Sequence, residues 1–221
     1  MYNKVLNGIL IVLLIAIIGT LGYLGYGYFT AYKSEKDAEK YLEEEFDTLI
    51  VDLSQKEPEK QPENPNEQSG GNNQNSGGSY NYTTQNTGYY RGYRVAGKLE
   101  MPTIGKQFPI LDEPEKASAM DVSVVKVYGP NLNTPGNVVI GGHNNNNGTF
   151  FSRNKNLNIG DKIYITDLTG KRLSYTIYQK FYTPGSDSTW FNRQVDNQTE
   201  VTLYTCDATG ANRLIIYARA D

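Results

Sequence analysis

The sequence predicts a mainly-β domain, closed or nearly closed into a barrel, that follows an apolar N-terminal helix and a polar linker. Three observations predict this arrangement. Between positions 95 and 221, short apolar runs alternate with turn residues, the pattern of an all-β barrel. Between Lys4 and Lys33 there is no charged residue. Ser54 to Gly88 contains no Leu, Ile, Val, Phe, Met or Trp and therefore cannot build a core.

Composition narrows the possibilities further. Of 221 residues, 38% are apolar, low for a fully globular chain, and 22 glycines and 9 prolines accompany them. With 21 basic and 24 acidic residues the net charge is −3, so the chain lacks the basic field that grips nucleic-acid phosphates. A single cysteine excludes an internal disulfide, and one cysteine with one histidine excludes a four-ligand Cys/His zinc centre. The 18 tyrosines suit strands and wet surfaces.

Taken in order, residues 1–30 read as a transmembrane anchor. Val5 to Leu24 is almost wholly apolar, long enough for the ~30 Å hydrocarbon core of a bilayer. Tyr23, Tyr26 and Tyr28 fall where an interfacial aromatic belt belongs. A cleaved signal peptide would show a shorter apolar core and a small-residue cleavage site, and the tyrosine-rich stretch after Thr20 offers none. By Lys and Arg count, Lys33, Lys36 and Lys40 outweigh Lys4, which argues mildly against exporting the C-terminal side. The motifs described below argue for exporting it.

Residues 31–53 read as a juxtamembrane amphipathic helix. Ser34 can cap it with Asp37 three residues on, and Ala38, Leu42, Phe46, Leu49 and Leu53 recur at three- and four-residue spacing. It is expected to be a stalk. Residues 54–88 read as a disordered linker, with a typical reach of ~30–35 Å, a tether that holds a domain off a membrane surface.

Residues 89–221 are of single-domain size. Lys98–Met101 and Phe108–Leu111 flank a Pro-x-x-Gly turn, Val122–Tyr128 is valine-rich, and Asn137–Ile140 follows Pro-Gly. Lys162–Thr166 and Leu173–Tyr182 flank the hairpin signal Asp167-Leu-Thr-Gly170, and Val201–Tyr204 and Leu214–Ala218 form the last pair. Phe150 to Leu157 reads as one short helix.

The chemistry-bearing residues sit at strand ends. The sole histidine, His143, closes Asn137-Val-Val-Ile-Gly-Gly-His143, and the sole cysteine, Cys206, closes Val201-Thr-Leu-Tyr-Thr-Cys206. Arg213 opens the final strand seven residues later. A thiol nucleophile needs a base or cation that favours thiolate and a donor for the developing oxyanion, and these three residues supply those parts.

With those residues in view, the chain resembles the sortases. Thr202-Leu-Tyr-Thr-Cys206 followed by Arg213 is similar to their Thr-Leu-x-Thr-Cys…Arg signature, and Gly136-Asn-Val-Val-Ile-Gly-Gly-His-Asn144 to their histidine segment. Gly97 to Ile110, with Met101-Pro-Thr-Ile-Gly105 and Pro109-Ile110, resembles their opening strands, and Phe151 to Ile165 the segment after the histidine. The resemblance covers nearly all of 95–221. It implies an eight-stranded sortase β-barrel and a cysteine transpeptidase on the outer face of a Gram-positive-type membrane. It further implies Cys206 as nucleophile, His143 as general acid/base and Arg213 as the residue that binds substrate and stabilises the oxyanion. Thr205 would lie beside the substrate, with Asn144 as a further substrate-binding residue. The implied partners are surface proteins bearing a Leu-Pro-x-Thr-Gly-like sorting signal and an acceptor amine from a peptidoglycan precursor or a pilin. No cofactor is implied.

Within the family the match points to class A-like or D-like members. Ser79 to Arg94 lacks the Asp-Pro-aromatic lid motif of many pilin-type sortases, and no long insertion before Val201 marks a class B type. Glu113, Glu115, Asp121, Asp187 and Asp196 show no metal-binding spacing and are expected to be surface charges, so no metal site is predicted. An L,D-transpeptidase would need a second histidine just before the cysteine, where Tyr204-Thr205 stands. A non-enzymatic adhesion domain would leave the single Cys and single His in these two motifs unexplained.

Overall fold

The computed structural model describes residues 2–50 and 88–221. Nine strands form one sheet: β1 (Tyr89–Tyr90), β2 (Tyr93–Met101), β3 (Lys106–Leu111), β4 (Val124–Tyr128), β5 (Gly136–Gly141), β6 (Lys162–Asp167), β7 (Arg172–Pro184), β8 (Thr199–Cys206) and β9 (Asn212–Ala220). Their order is β1-β2-β3-β4-β5-β8-β9-β7-β6, and β6 returns to pair with β2. The eight strands β2 to β9 therefore close a barrel, and closure removes the open edges that invite aggregation. The two-residue β1 lies outside the ring as a hairpin arm on β2. Each strand expected from the sequence is present. The expected short helix is a 3₁₀ segment, Phe150–Asn156.

Alternation fills the barrel. Leu99, Met101, Ile110, Ile140, Ile163, Ile165, Ile177, Leu203 and Ile216 point inward and are almost completely buried, with Phe151 and Leu157 of the 3₁₀ segment closing the core. Two neighbouring pairs run parallel, β3 with β4 and β5 with β8. The β5–β8 pair matters most, because both strands finish at the same end of the barrel.

The N-terminal helix departs from the expected free stalk. One helix, α1 (Tyr2–Lys40), continues through a π-helical turn at Tyr41–Phe46 and on to Ile50. Ser34 sits inside it and caps nothing, since no Gly or Pro separates the apolar and amphipathic stretches. Val5 to Tyr32 present exposed apolar and aromatic side chains all round, and the helix is long and apolar enough to cross a membrane. Beyond Tyr32 the helix docks on the barrel wall. Ala38, Tyr41, Leu42 and Phe46 are buried against Tyr90, Val95, Leu111, Ala119 and Val125.

An apolar stripe needs a partner face, and β2–β4 supply one because they are apolar on both sides. Leu42 and Phe46 are 1% and 0% exposed, and each such side chain contributes about 1.5–3 kcal/mol. Glu35 pairs with Lys106, Asp37 with Arg91 and Asp47 with Lys98 along the seam. The linker expected at 54–88 lies outside the described residues except for Gly88. Its flanks, however, meet: a Cβ added to Gly88 would fall 2.2 Å from Leu49 Cδ2. Leu49 at the end of the helix and Gly88 at the start of the barrel are therefore in contact.

Candidate active site

β5 and β8 are in register from Gly136↔Thr199 to Gly141↔Tyr204. His143 lies two residues past the end of β5, and Cys206 is the last residue of β8. The two sole residues of their kind therefore reach the same barrel end. Two glycines permit the close approach there. A Cβ on Gly141 would fall 2.5 Å from the Tyr204 ring, and one on Gly142 would fall 2.9 Å from Phe151.

Cys206 is partly exposed and in its reduced form. Asn144 Nδ2 donates to its carbonyl at 3.0 Å. On the other side β9 runs antiparallel, with Arg213 directly opposite Cys206. The Arg213 guanidinium donates to the carbonyls of Gly210 and Asn212, both at 3.2 Å and both from Nη1. Thr205 points to the barrel side; it is 2% exposed, and its hydroxyl has no partner among the described residues. A buried, unpaired hydroxyl costs about 1–3 kcal/mol unless an incoming group satisfies it.

His143 is half-exposed, and its Nε2 lies 3.1 Å from Asp121 Oδ1. No hydrogen bond joins His143 to Cys206 among the described residues; in substrate-free enzymes such bonds often form only when substrate closes the site. Sequence reasoning grouped Asp121 with the surface carboxylates and missed this contact. Its loop, Ala117–Ser123, is held by packing of Ala119, Met120 and Val122 in the same cluster as Ala38 and Leu42 of the helix.

The β7–β8 connection packs against Tyr204, two residues before Cys206. Trp190, the only tryptophan, stacks 5.0 Å from the Tyr204 ring and donates its indole N–H to Asp187 O at 2.7 Å. Burial pushes the Tyr204 phenol up. Asp187 accepts from Thr183 and Thr189, and these bonds, Thr183 first, hold its carboxyl below the usual range. Arg193 ties this connection to β8: it reaches the fully buried Glu200 at 3.0 Å, which also takes Arg219 at 2.6 Å and the Tyr178 hydroxyl at 2.9 Å. Glu113 pairs with Lys116 and Arg94, and Glu115 with Arg94. Among the described residues, no His, Cys, Asp and Glu side chains group as a metal site.

Comparison with known proteins gives the same picture from outside. The family model described as "Sortase domain" matches residues 99–221. No curated protein matches the chain. Among solved structures, the chain is similar to a sortase D5 transpeptidase from Clostridium perfringens, with 26% identity over 57% of this chain and 79% of that one and a TM-score of 0.52. It is similar to a lid mutant of sortase A from Corynebacterium diphtheriae, with 26% identity over 57% and 70% and a TM-score of 0.51. Sortase C1 from Streptococcus agalactiae shares 19% identity over 57% and 69%, with a TM-score of 0.52, a likeness of fold.

Proposed function

The chain belongs to the sortase family, and from that premise we propose that it is a membrane-anchored cysteine transpeptidase. It cleaves a Leu-Pro-x-Thr-Gly-like sorting signal between Thr and Gly and transfers the acyl group to a cell-wall amine. The observation that carries this reading is the shared barrel end, where β5 delivers His143, β8 delivers Cys206 and the cross-strand neighbour of Cys206 is Arg213.

The Cys206 thiolate attacks the Thr carbonyl carbon, and Arg213 donates to the oxygen as negative charge builds there. His143, as imidazolium, protonates the departing Gly amine as the C–N bond breaks, leaving a thioester. The acceptor amine then enters, His143 takes its proton, the new amide forms and the thiolate leaves. Thr205 offers its unpaired hydroxyl to the bound signal, and Asn144 holds the Cys206 backbone through its carbonyl. The missing Asp-Pro-aromatic lid motif supports a peptidoglycan amine as acceptor over a pilin lysine. The uncharged segment between Lys4 and Lys33 supports a single-pass anchor, and the sortase motifs support placing the barrel outside the cell.

Intact-mass analysis of the detergent-solubilised full chain with a Leu-Pro-x-Thr-Gly peptide tests the reading. A hydroxylamine-labile adduct equal to the Leu-Pro-x-Thr acyl fragment is expected on Cys206. No adduct with any sorting-signal variant, from a folded protein, would overturn it.

A further inference from the structure

The docked helix has a direction. Exposed apolar and aromatic side chains run as far as Tyr32. Three residues later Glu35 pairs with Lys106, the first residue of β3. At 1.5 Å per residue that is only about 4–5 Å along the axis. The barrel therefore begins within one helical turn of the apolar segment.

The end that begins there is the one with the chemistry. Ser34, Glu35 and Ala38 line one crevice with Lys106, Ser123 and Phe150. Phe150 opens the segment whose next residue, Phe151, donates its N–H to the His143 carbonyl at 3.0 Å. Fifteen residues further on, Ile50 meets the turn between β6 and β7, where a Cβ on Gly170 would fall 2.9 Å from Ile50 Cγ2. That turn precedes β7, whose far end at Thr183 pairs with Arg213. The helix thus runs down the barrel wall from the active-site end to the opposite end, about 22 Å from Glu35 to Ile50. Three ion pairs and the buried Ala38–Tyr41–Leu42–Phe46 stripe fix it along that path.

We infer that this helix is a rigid bracket that turns the active-site end of the barrel toward the bilayer and keeps it at the lipid headgroups. The inference rests on the membrane anchor of the proposed function. A flexible stalk would let Cys206 face any direction; a continuous helix docked before the linker does not. Cys206, His143 and Arg213 then open onto the headgroup layer, while the β4–β5 and β6–β7 turns point away. Donor and acceptor chains meet the thiol at the membrane surface, so a sorting peptide tethered to lipid is consumed faster than the same peptide in solution.

The single thiol makes the test direct. The full chain is reconstituted in phosphatidylcholine–phosphatidylglycerol nanodiscs carrying a headgroup-labelled acceptor lipid, and a donor dye is attached to Cys206. The comparison is Asn131→Cys in a Cys206→Ala background, which labels the exposed β4–β5 loop at the other end of β5. Thr169→Cys, in the β6–β7 turn, is the second far-end position. Energy transfer to the lipid is expected to be greater from Cys206 than from either far-end site. A flexible Gly-Ser insertion between Tyr32 and Ser34 is expected to abolish that difference. Equal transfer from both ends of the uninterrupted chain, or greater transfer from the far end, would overturn the inference, as would failure of the chain to enter the nanodisc. The soluble-peptide adduct at Cys206 is read separately in detergent, so a missing adduct with the orientation intact counts against the proposed reaction and not against the bracket.

Discussion

At the end of the barrel away from Cys206, Asn133 is 2% exposed and uses its whole amide. Its Nδ2 donates to Lys171 O at 2.7 Å and Ile165 O at 3.2 Å, its Oδ1 accepts the buried Tyr175 hydroxyl at 2.8 Å, and its carbonyl accepts Lys171 Nζ at 2.7 Å. At the other end, Cys206 and His143 are partly exposed, Arg213 bonds only backbone carbonyls of its own turn, and the buried Thr205 hydroxyl bonds nothing described. The Asn133 cluster is fully bonded within the fold, although Thr166 Oγ1 and Asn137 Nδ2 at that end are buried without a partner among the described residues; at the Cys206 end the chemistry-bearing side chains stay partly exposed. The difference teaches that exposure of reactive side chains, and not an unpaired buried atom by itself, separates the two ends, since unpaired buried atoms occur at both.

The largest expected effect comes from removing the thiol. Cys206→Ala should abolish both cleavage and transfer, because no other side chain in the chain can form the thioester. Thermal unfolding should hardly move, since Cys206 is partly exposed at a strand end. Transfer above background by a folded Cys206→Ala protein would break the comparison at its functional end.

Arg213→Lys comes next. Lysine keeps the charge but loses the planar fork, and loss of one oxyanion donor costs about 10²–10³ in rate. Transfer should fall by that range while Cys206 still reacts with a small alkylating agent, a step that needs no oxyanion donor. Near-normal peptide turnover would remove Arg213 from the site.

Tyr175→Phe probes the opposite end. Tyr175 is 1% exposed, and burial holds its phenol well above the ordinary range, so it is a neutral donor at any working pH. Deleting the hydroxyl strands Asn133 Oδ1 and should cost about 1–3 kcal/mol of stability. Chemical denaturation measures that loss, and kcat per folded molecule should be unchanged. A fall in kcat with no loss of stability would show that the two ends are coupled.

How legible these regions were in the sequence follows from the range of the interactions involved. The barrel strands were readable because each carries its own alternation and turn residues, and His143 and Cys206 because each closes an apolar run that must end at a barrel rim. The stripe Ala38–Leu42–Phe46 was readable as amphipathic, yet its partner was not, because docking depends on outward-facing Leu111 and Val125 in strands far along the chain. The tell-tale was there: Phe108-Pro-Ile-Leu111 and Val124-Val125 are apolar on both faces, which an exposed barrel wall would not need. Asp121 escaped for the same reason. Nothing local distinguishes it from Glu115, and only the long-range pairing of β4 with β5 brings its loop to His143.

The smallest expected effect lies in the turn that joins Cys206 to Arg213. Asp207 accepts from Asn212 Nδ2 and Thr209 Oγ, both at 2.8 Å, and from Thr209 N at 3.0 Å. These bonds, Asn212 first, lower its carboxyl from the ordinary 3.8 to about 2. A folded-state value below the unfolded one means stabilisation that is complete above about pH 4 and lost as pH falls toward 2. Asp207 is partly exposed and its side chain bonds only within its own turn, so the effect is confined to the turn and leaves the barrel intact. Amide exchange at Thr209, Gly210 and Asn212 should therefore accelerate relative to its intrinsic rate as pH falls through this window, while β5 and β8 amides stay protected. Asp207→Asn keeps the acceptor oxygen but removes the titration, so its turn protection should be weaker at neutral pH and flat with pH. Turn amides in the parent chain that track the intrinsic exchange rate throughout would show that Asp207 does not order the turn, and that the cross-strand pair of Cys206 and Arg213 is held by the β8–β9 ladder alone.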